Sequence, residues 1–243
     1  NFSLKDSSIS GFLNIGGGRF DDQLTGDENN NVLIGASGDD SLLGDAGDDL
    51  IYGDQNYDDE SGLKYGIRSY DVNPGNDNIN GGIGDDIVYG GSGEDEIRGA
   101  DGDDILYGED NNDIIYGGLG DDAIYGGQGD DVLSAFSFIF EYPNFPNDGE
   151  VETSDQDTIY GGDGNDTIYG NASNMSGGNG DDIMYVRGTY DTSITISGDD
   201  GNDILKATQF SFLFGGNGND TLQVGTGAYS CLTGGAGADK FYI

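Results

Sequence analysis

The chain has 243 residues, with 47 glycines, no histidine and one cysteine; 47 acidic residues against 8 basic ones give a formal charge of −39. Such a polyanion excludes nucleic acid and anionic membrane as electrostatic partners. The missing histidine excludes zinc-protease helices, Ser-His-Asp triads and Cys-His pairs, and the lone Cys231 excludes an internal disulfide.

Residues 1–16 are apolar positions (Phe2, Leu4, Ile9, Phe12, Leu13, Ile15) among Ser, Gly and Asn, and are expected to cap the first structural unit. From Gly17 a nine-residue unit begins, worn at first: Gly17–Thr25 keeps Asp22, and Gly26–Ile34 has Asn31 where Asp is expected. Gly35–Leu43 and Gly44–Tyr52 are good copies carrying Asp40 and Asp49. An insertion at about 55–73, with Tyr65 and Arg68, delays the next turn until Asp77.

Gly81–Ser134 then holds six nonapeptides with nothing inserted or lost: GGIGDDIVY, GGSGEDEIR, GADGDDILY, GEDNNDIIY, GGLGDDAIY and GGQGDDVLS. Each opens with Gly, has Asp sixth (Asp86, Asp95, Asp104, Asp113, Asp122, Asp131) and an aliphatic residue eighth. A second insertion, about 135–153, is aromatic-rich, with Phe138, Phe140 and Tyr142. Both insertions are candidate partner surfaces, since loops on rigid scaffolds often carry function; the alternatives are a tolerated surface excursion for the first and aromatic packing on the roll's own side for the second. The repeat resumes at Asp157 and Asp166. Over 170–243 good copies with Asp182, Asp203, Asp220 and Asp239 alternate with segments lacking the Gly-rich turn and the Asp.

A fixed short period means stacked units that cannot bury their apolar residue alone. Glycines at places one, two and four allow positive φ and hence a tight turn exposing carbonyl oxygens. The sixth-place Asp adds a carboxylate, and such oxygens suit Ca²⁺, which takes about 6–8 of them. The last three places are expected to run as a short strand with one side chain inward. The metal-ligating candidates are the fifteen Asp from Asp40 to Asp239 named above. Turn carbonyls of Gly81, Gly82, Gly84, Gly90, Gly99, Gly102, Gly117, Gly118, Gly120, Gly126, Gly161, Gly177, Gly198, Gly215 and Gly234 are further candidates.

From about Gly17 to Tyr242 the chain resembles the RTX (repeats-in-toxin) family, whose nonapeptide is GGxGxDxUx with U aliphatic. The resemblance implies an all-β, right-handed parallel β-roll in which two nonapeptides make one coil. It also implies calcium shared between a turn and its same-edge neighbour eighteen residues on, and a protein exported by type I secretion that folds outside the cell. About ten coils are expected in one domain, 1–243. Counting half-coils puts Asp40, Asp77, Asp95, Asp113, Asp131, Asp166, Asp182, Asp203, Asp220 and Asp239 on one edge. Asp49, Asp86, Asp104, Asp122 and Asp157 fall on the other, where calcium turns should stop near 157–170. One ion per neighbouring pair gives about thirteen Ca²⁺, which offset ~26 of the negative charges.

No catalytic constellation is present, and no apolar run reaches the length of a membrane-spanning helix. The chain starts at Asn1 without Met or a signal peptide and reads as a fragment or processed product. The expected function is an extracellular calcium-folded structural or adhesion module. The alternatives are the non-catalytic half of a secreted serralysin-like protease or alginate epimerase, and a self-assembling surface-layer or filament protein. Partners beyond calcium would be other copies of the protein or cell-surface polysaccharide. Ninth-place tyrosines, among them Tyr89, Tyr107 and Tyr125, should form an outward ladder. Phe210, Phe212, Phe214, Ile194, Ile196, Leu232 and Cys231 are expected to fill the core where the second edge is worn.

Overall fold

A computed structural model describes residues 2–3, 14–18, 20–54, 75–136, 156–170, 174–186, 194–208, 211–225 and 230–243. Most of the expected cap, most of both insertions and Phe210 lie outside these residues, and with them Tyr65, Arg68, Phe138, Phe140 and Tyr142.

The described residues form strands and turns with no helix. Successive strands alternate between two sheets, because each Gly-rich turn reverses the chain and the next aliphatic residue must return to the same core. The first sheet is β1 (Phe2–Ser3), β3 (Gln23–Thr25), β5 (Ser41–Ala46), β7 (Asn78–Ile83), β9 (Glu96–Asp101), β11 (Ile114–Leu119), β13 (Val132–Ser134), β15 (Thr167–Gly170), β17 (Ile183–Val186), β19 (Ile204–Ala207), β21 (Thr221–Val224) and β23 (Lys240–Tyr242). The second is β2 (Asn14–Gly16), β4 (Val32–Ile34), β6 (Leu50–Tyr52), β8 (Ile87–Ser92), β10 (Ile105–Asp110), β12 (Ala123–Gln128), β14 (Thr158–Asp163), β16 (Asn174–Asn179), β18 (Ile194–Asp200), β20 (Ser211–Asn217) and β22 (Cys231–Ala236). Every pairing is parallel and in sequence order within its sheet, which makes a β-solenoid of about ten turns.

Eighth-place side chains stack inward in register: Leu42, Ile79, Ile97, Ile115 and Leu133 on one sheet, Ile51, Val88, Leu106, Ile124 and Ile159 on the other. All are buried. In the central coils the strands are six residues long, not three, because places one to three of the following repeat continue the ladder. The place-one glycine is the second inward position of each strand.

Outward, Tyr52, Tyr89, Tyr107, Tyr125 and Tyr160 stack face to face with centroids 4.8–5.3 Å apart. That distance is set by the strand spacing of ~4.8 Å. The ladder is longer than the eighteen-residue spacing alone reveals, since the insertions leave pairing unchanged.

Where the second edge is worn, Ile194 and Ile196 are buried as expected, but the phenylalanines are not. Phe212 is 44% and Phe214 39% exposed, and Cys231 is exposed. Parallel register aligns Leu213 with Ile196 and Leu232, so the neighbours Phe212 and Cys231 must point out. The extra cover comes from the second inward position of the first-sheet strands, where Val186, Ala207 and Val224 stand in place of the glycine of the regular repeats.

Candidate metal centres

Two rows of carboxylates line the edges of the solenoid. Asp40, Asp77, Asp95, Asp113, Asp131, Asp166, Asp182, Asp203, Asp220 and Asp239 each precede a strand of the first sheet, and Asp49, Asp86, Asp104, Asp122 and Asp157 a strand of the second. All are buried except Asp239, at the last turn, which is partly exposed.

The geometry repeats at each step. The main-chain N–H of one Asp donates to Oδ1 of the next along the edge: Asp77 to Asp95 at 2.8 Å, Asp95 to Asp113 at 2.9 Å, Asp86 to Asp104 at 2.8 Å. Across the insertions the pairing holds, as in Asp40 to Asp77 at 2.8 Å and Asp122 to Asp157 at 2.9 Å. The rows also include Asp22 and Asn31, whose N–H groups donate to Asp40 and Asp49.

The other carboxylate oxygen is the informative one. Oδ2 of Asp40, Asp49, Asp77, Asp86, Asp95, Asp104, Asp113, Asp122, Asp131, Asp166, Asp182, Asp203 and Asp220 is buried without a hydrogen-bond partner. A buried unpaired carboxylate oxygen is costly, and a fold that repeats it in turn after turn implies a cation to face it. Burial pushes the Asp77, Asp86, Asp113 and Asp122 carboxyls up to about 8, with neighbouring Asp charges adding to the rise and the N–H donor opposing it. Asp104, Asp131 and Asp182 rise to about 7, and Asp40, Asp49, Asp95, Asp166 and Asp203 to about 6, by the same burial.

The glycines divide into two roles. Places two and four adopt positive φ, as at Gly82 (+123°), Gly84 (+135°), Gly102 (+141°), Gly118 (+131°) and Gly120 (+124°). Place-one glycines are not among the positive-φ residues, contrary to expectation; they are required by close approach instead. A Cβ on Gly81 would overlap Asp86 Oδ2 and lie 2.9 Å from the Gly99 carbonyl oxygen of the next coil. The same crowding by the Asp of its own repeat recurs at Gly90, Gly99, Gly117, Gly126, Gly161, Gly177, Gly198, Gly215 and Gly234. Asp157 departs from the rule, since the place-one residue of its turn is Ala135 and not glycine.

Among the described residues no three carboxylates or thiols converge on one point. A cation facing an Asp Oδ2 would therefore complete its shell with main-chain carbonyls, a donor set of hard oxygens that suits Ca²⁺.

The RTX calcium-binding nonapeptide repeat matches residues 15–42, 25–59, 71–106, 98–133, 153–174, 195–209 and 210–228, more than half of the chain. This chain belongs to the RTX calcium-binding repeat family. No curated protein matches it. As an RTX β-roll it is a structural calcium-binding module, and nothing in the described residues forms an enzymatic site. The place-six Asp and place-one Gly of the RTX repeat are the pair whose close approach builds each candidate centre.

Proposed function

We propose that the chain is an extracellular RTX roll whose folding is driven by calcium, serving as a structural or adhesion module of a protein secreted by a type I route. The single observation that supports this most is the double row of buried, unpartnered Asp Oδ2 atoms. Such sites do not exist in the unfolded chain, so binding free energy becomes folding free energy. The acidic composition points the same way, because self-repulsion opposes the metal-free fold.

Each ion would be held by Asp Oδ2 atoms and by turn carbonyls beginning with place one, giving about a dozen ions in two lines. The line on the second edge would end near Asp157. The stacked tyrosines cover one another's ring faces, which favours a role in stiffening the sheet over a sugar-stacking platform.

Circular dichroism tests the reading. A coil spectrum is expected in EDTA near neutral pH and a β spectrum in millimolar Ca²⁺. Equal β content in both would overturn it. Anomalous scattering from the calcium-loaded protein would locate the lines, and an equally strong ion beside Val186, Ala207 or Val224 would refute the early end of the second.

A further inference from the structure

Resting on the calcium reading, we infer that the fifth place of the repeat, an unspecified position in GGxGxDxUx, is a positioning residue for the metal row, and that its rung to the following coil needs a side chain of Asp or Asn length. A second ladder runs beside the first, formed by these fifth-place residues, and it runs in the opposite direction. The Asp103 N–H donates to Oδ1 of Asp85 in the preceding coil at 3.0 Å, and the Asp121 N–H to Asp103 at 2.9 Å. The adjacent Asp104 N–H donates to Asp122 in the following coil at 3.0 Å. Consecutive N–H groups are thus clamped to opposite neighbours, which fixes the turn between them and sets the separation of successive Oδ2 atoms.

Charge is not what this ladder uses. On the first edge Asn165 donates to Asp130, Asp181 to Asn165, Asn202 to Asp181 and Asn219 to Asn202, all between 2.8 and 3.0 Å. Asn and Asp alternate freely because both offer an Oδ1 acceptor at the same reach. The rung fails at Glu94. Its own N–H donates to Asn76 at 2.9 Å, but among the described residues no bond links the Asn112 N–H to its longer side chain. The main-chain bond beside it, Gly93 N–H to the Asp110 carbonyl, is 3.2 Å, against 2.8 Å for Gly84 to Asp101 and Gly102 to Leu119. One extra methylene carries the acceptor past the neighbouring N–H, and the coils are slightly looser there.

Asp103→Asn, Asp103→Ala, Asp103→Glu and Glu94→Asp in the full chain test this, read by the calcium midpoint of folding and by hydrogen exchange of single amides at saturating calcium. Asp103→Asn should keep the midpoint within about twofold and keep the Asp121 amide protected. Asp103→Ala and Asp103→Glu should raise it about fivefold, the worth of one hydrogen bond, and expose that amide. Glu94→Asp should protect the Asn112 amide and lower the midpoint. An Asp103→Asn shift as large as that of Asp103→Ala, or an Asn112 amide unprotected in Glu94→Asp, would overturn the inference. Failure of Asp103→Ala to fold at any calcium concentration, with Asp103→Asn folding normally, counts in its favour. If folding ignores calcium in every variant the calcium reading has failed, while the Asn112 amide in Glu94→Asp still decides the rung.

Discussion

The main-chain N–H of Asp104 lies 3.0 Å from Oδ1 of Asp122, and Oδ2 of that same carboxylate is buried with no partner. One oxygen stitches two coils together and the other is the one that would face the proposed cation. Removing the side chain therefore removes a rung and a charge at once.

Asp122→Ala should destabilise the calcium-saturated roll by ~2 kcal/mol or more, the worth of a hydrogen bond to a charged group with a metal contact added. Asp49→Ala should shift the calcium midpoint less, because its neighbour on one side is Asn31, which brings no charge. Calcium titrations of the two variants followed by circular dichroism check this, and equal shifts would contradict it.

Gly99→Ala should weaken calcium-driven folding even though alanine suits a strand better than glycine. The new Cβ would overlap Asp104 Oδ2 and meet the Gly117 carbonyl oxygen at 2.8 Å. Leu119→Ala, at an exposed third place, is the control and should leave the midpoint unchanged. A neutral Gly99→Ala would mean that close approach at place one is not what excludes side chains.

Acid should replace calcium in part. Burial raises the carboxyls of Asp77, Asp86, Asp113 and Asp122 to about 8 in the metal-free fold, whereas the unfolded chain titrates near ~3.9. The fold then binds protons that the unfolded chain has released, so metal-free stability falls as pH rises from about 4 to 8 and returns as pH drops. In EDTA the β signal should grow on going from about pH 8 toward 5. The calcium midpoint compares the unfolded chain with the bound fold, both ionised above about pH 5, so it should stay flat from about pH 6 to 8. A steep midpoint in that range would show that calcium meets a folded, protonated chain.

Tyr107→Ala should cost about 1–2 kcal/mol, since its ring stacks on Tyr89 and Tyr125, both at 4.8 Å. Tyr160→Ala, at the end of the ladder and stacked on Tyr125 alone among the described residues, should cost less. Neither should alter the number of ions bound, which calcium analysis of the purified variants measures.

Most of the fold was legible because Asp at place six and the aliphatic residue at place eight recur in strict register, and register in a solenoid is topology. Half-coil counting fixes which edge holds each Asp, even across the insertions. The worn segments were harder: in Phe210–Ser211–Phe212–Leu213–Phe214 the phase with three phenylalanines is the more apolar, yet pairing with Ile196 turns Leu213, and with it Ser211, inward. The place-one glycine was assigned to backbone conformation when the cause is a carboxylate five residues on, because sequence does not show what faces a missing side chain. The fifth-place ladder was hidden for a similar reason. Asp and Asn are common in any turn, and only the opposed direction of the two rows of bonds distinguishes a rung from a turn former.

The rungs from Asp40 to Asp77 and from Asp49 to Asp86 join residues 37 apart at the same lengths as those joining residues 18 apart. Lengthening a loop adds closure entropy only logarithmically, ~0.6 kcal/mol per doubling. The turns that carry the two insertions are therefore splice points, where extra sequence enters without disturbing the pairing of the coils on either side. A scaffold of this kind can diversify by acquiring excursions at its edges while its interior stays the same, so that relatives with different surfaces would share one stack of coils.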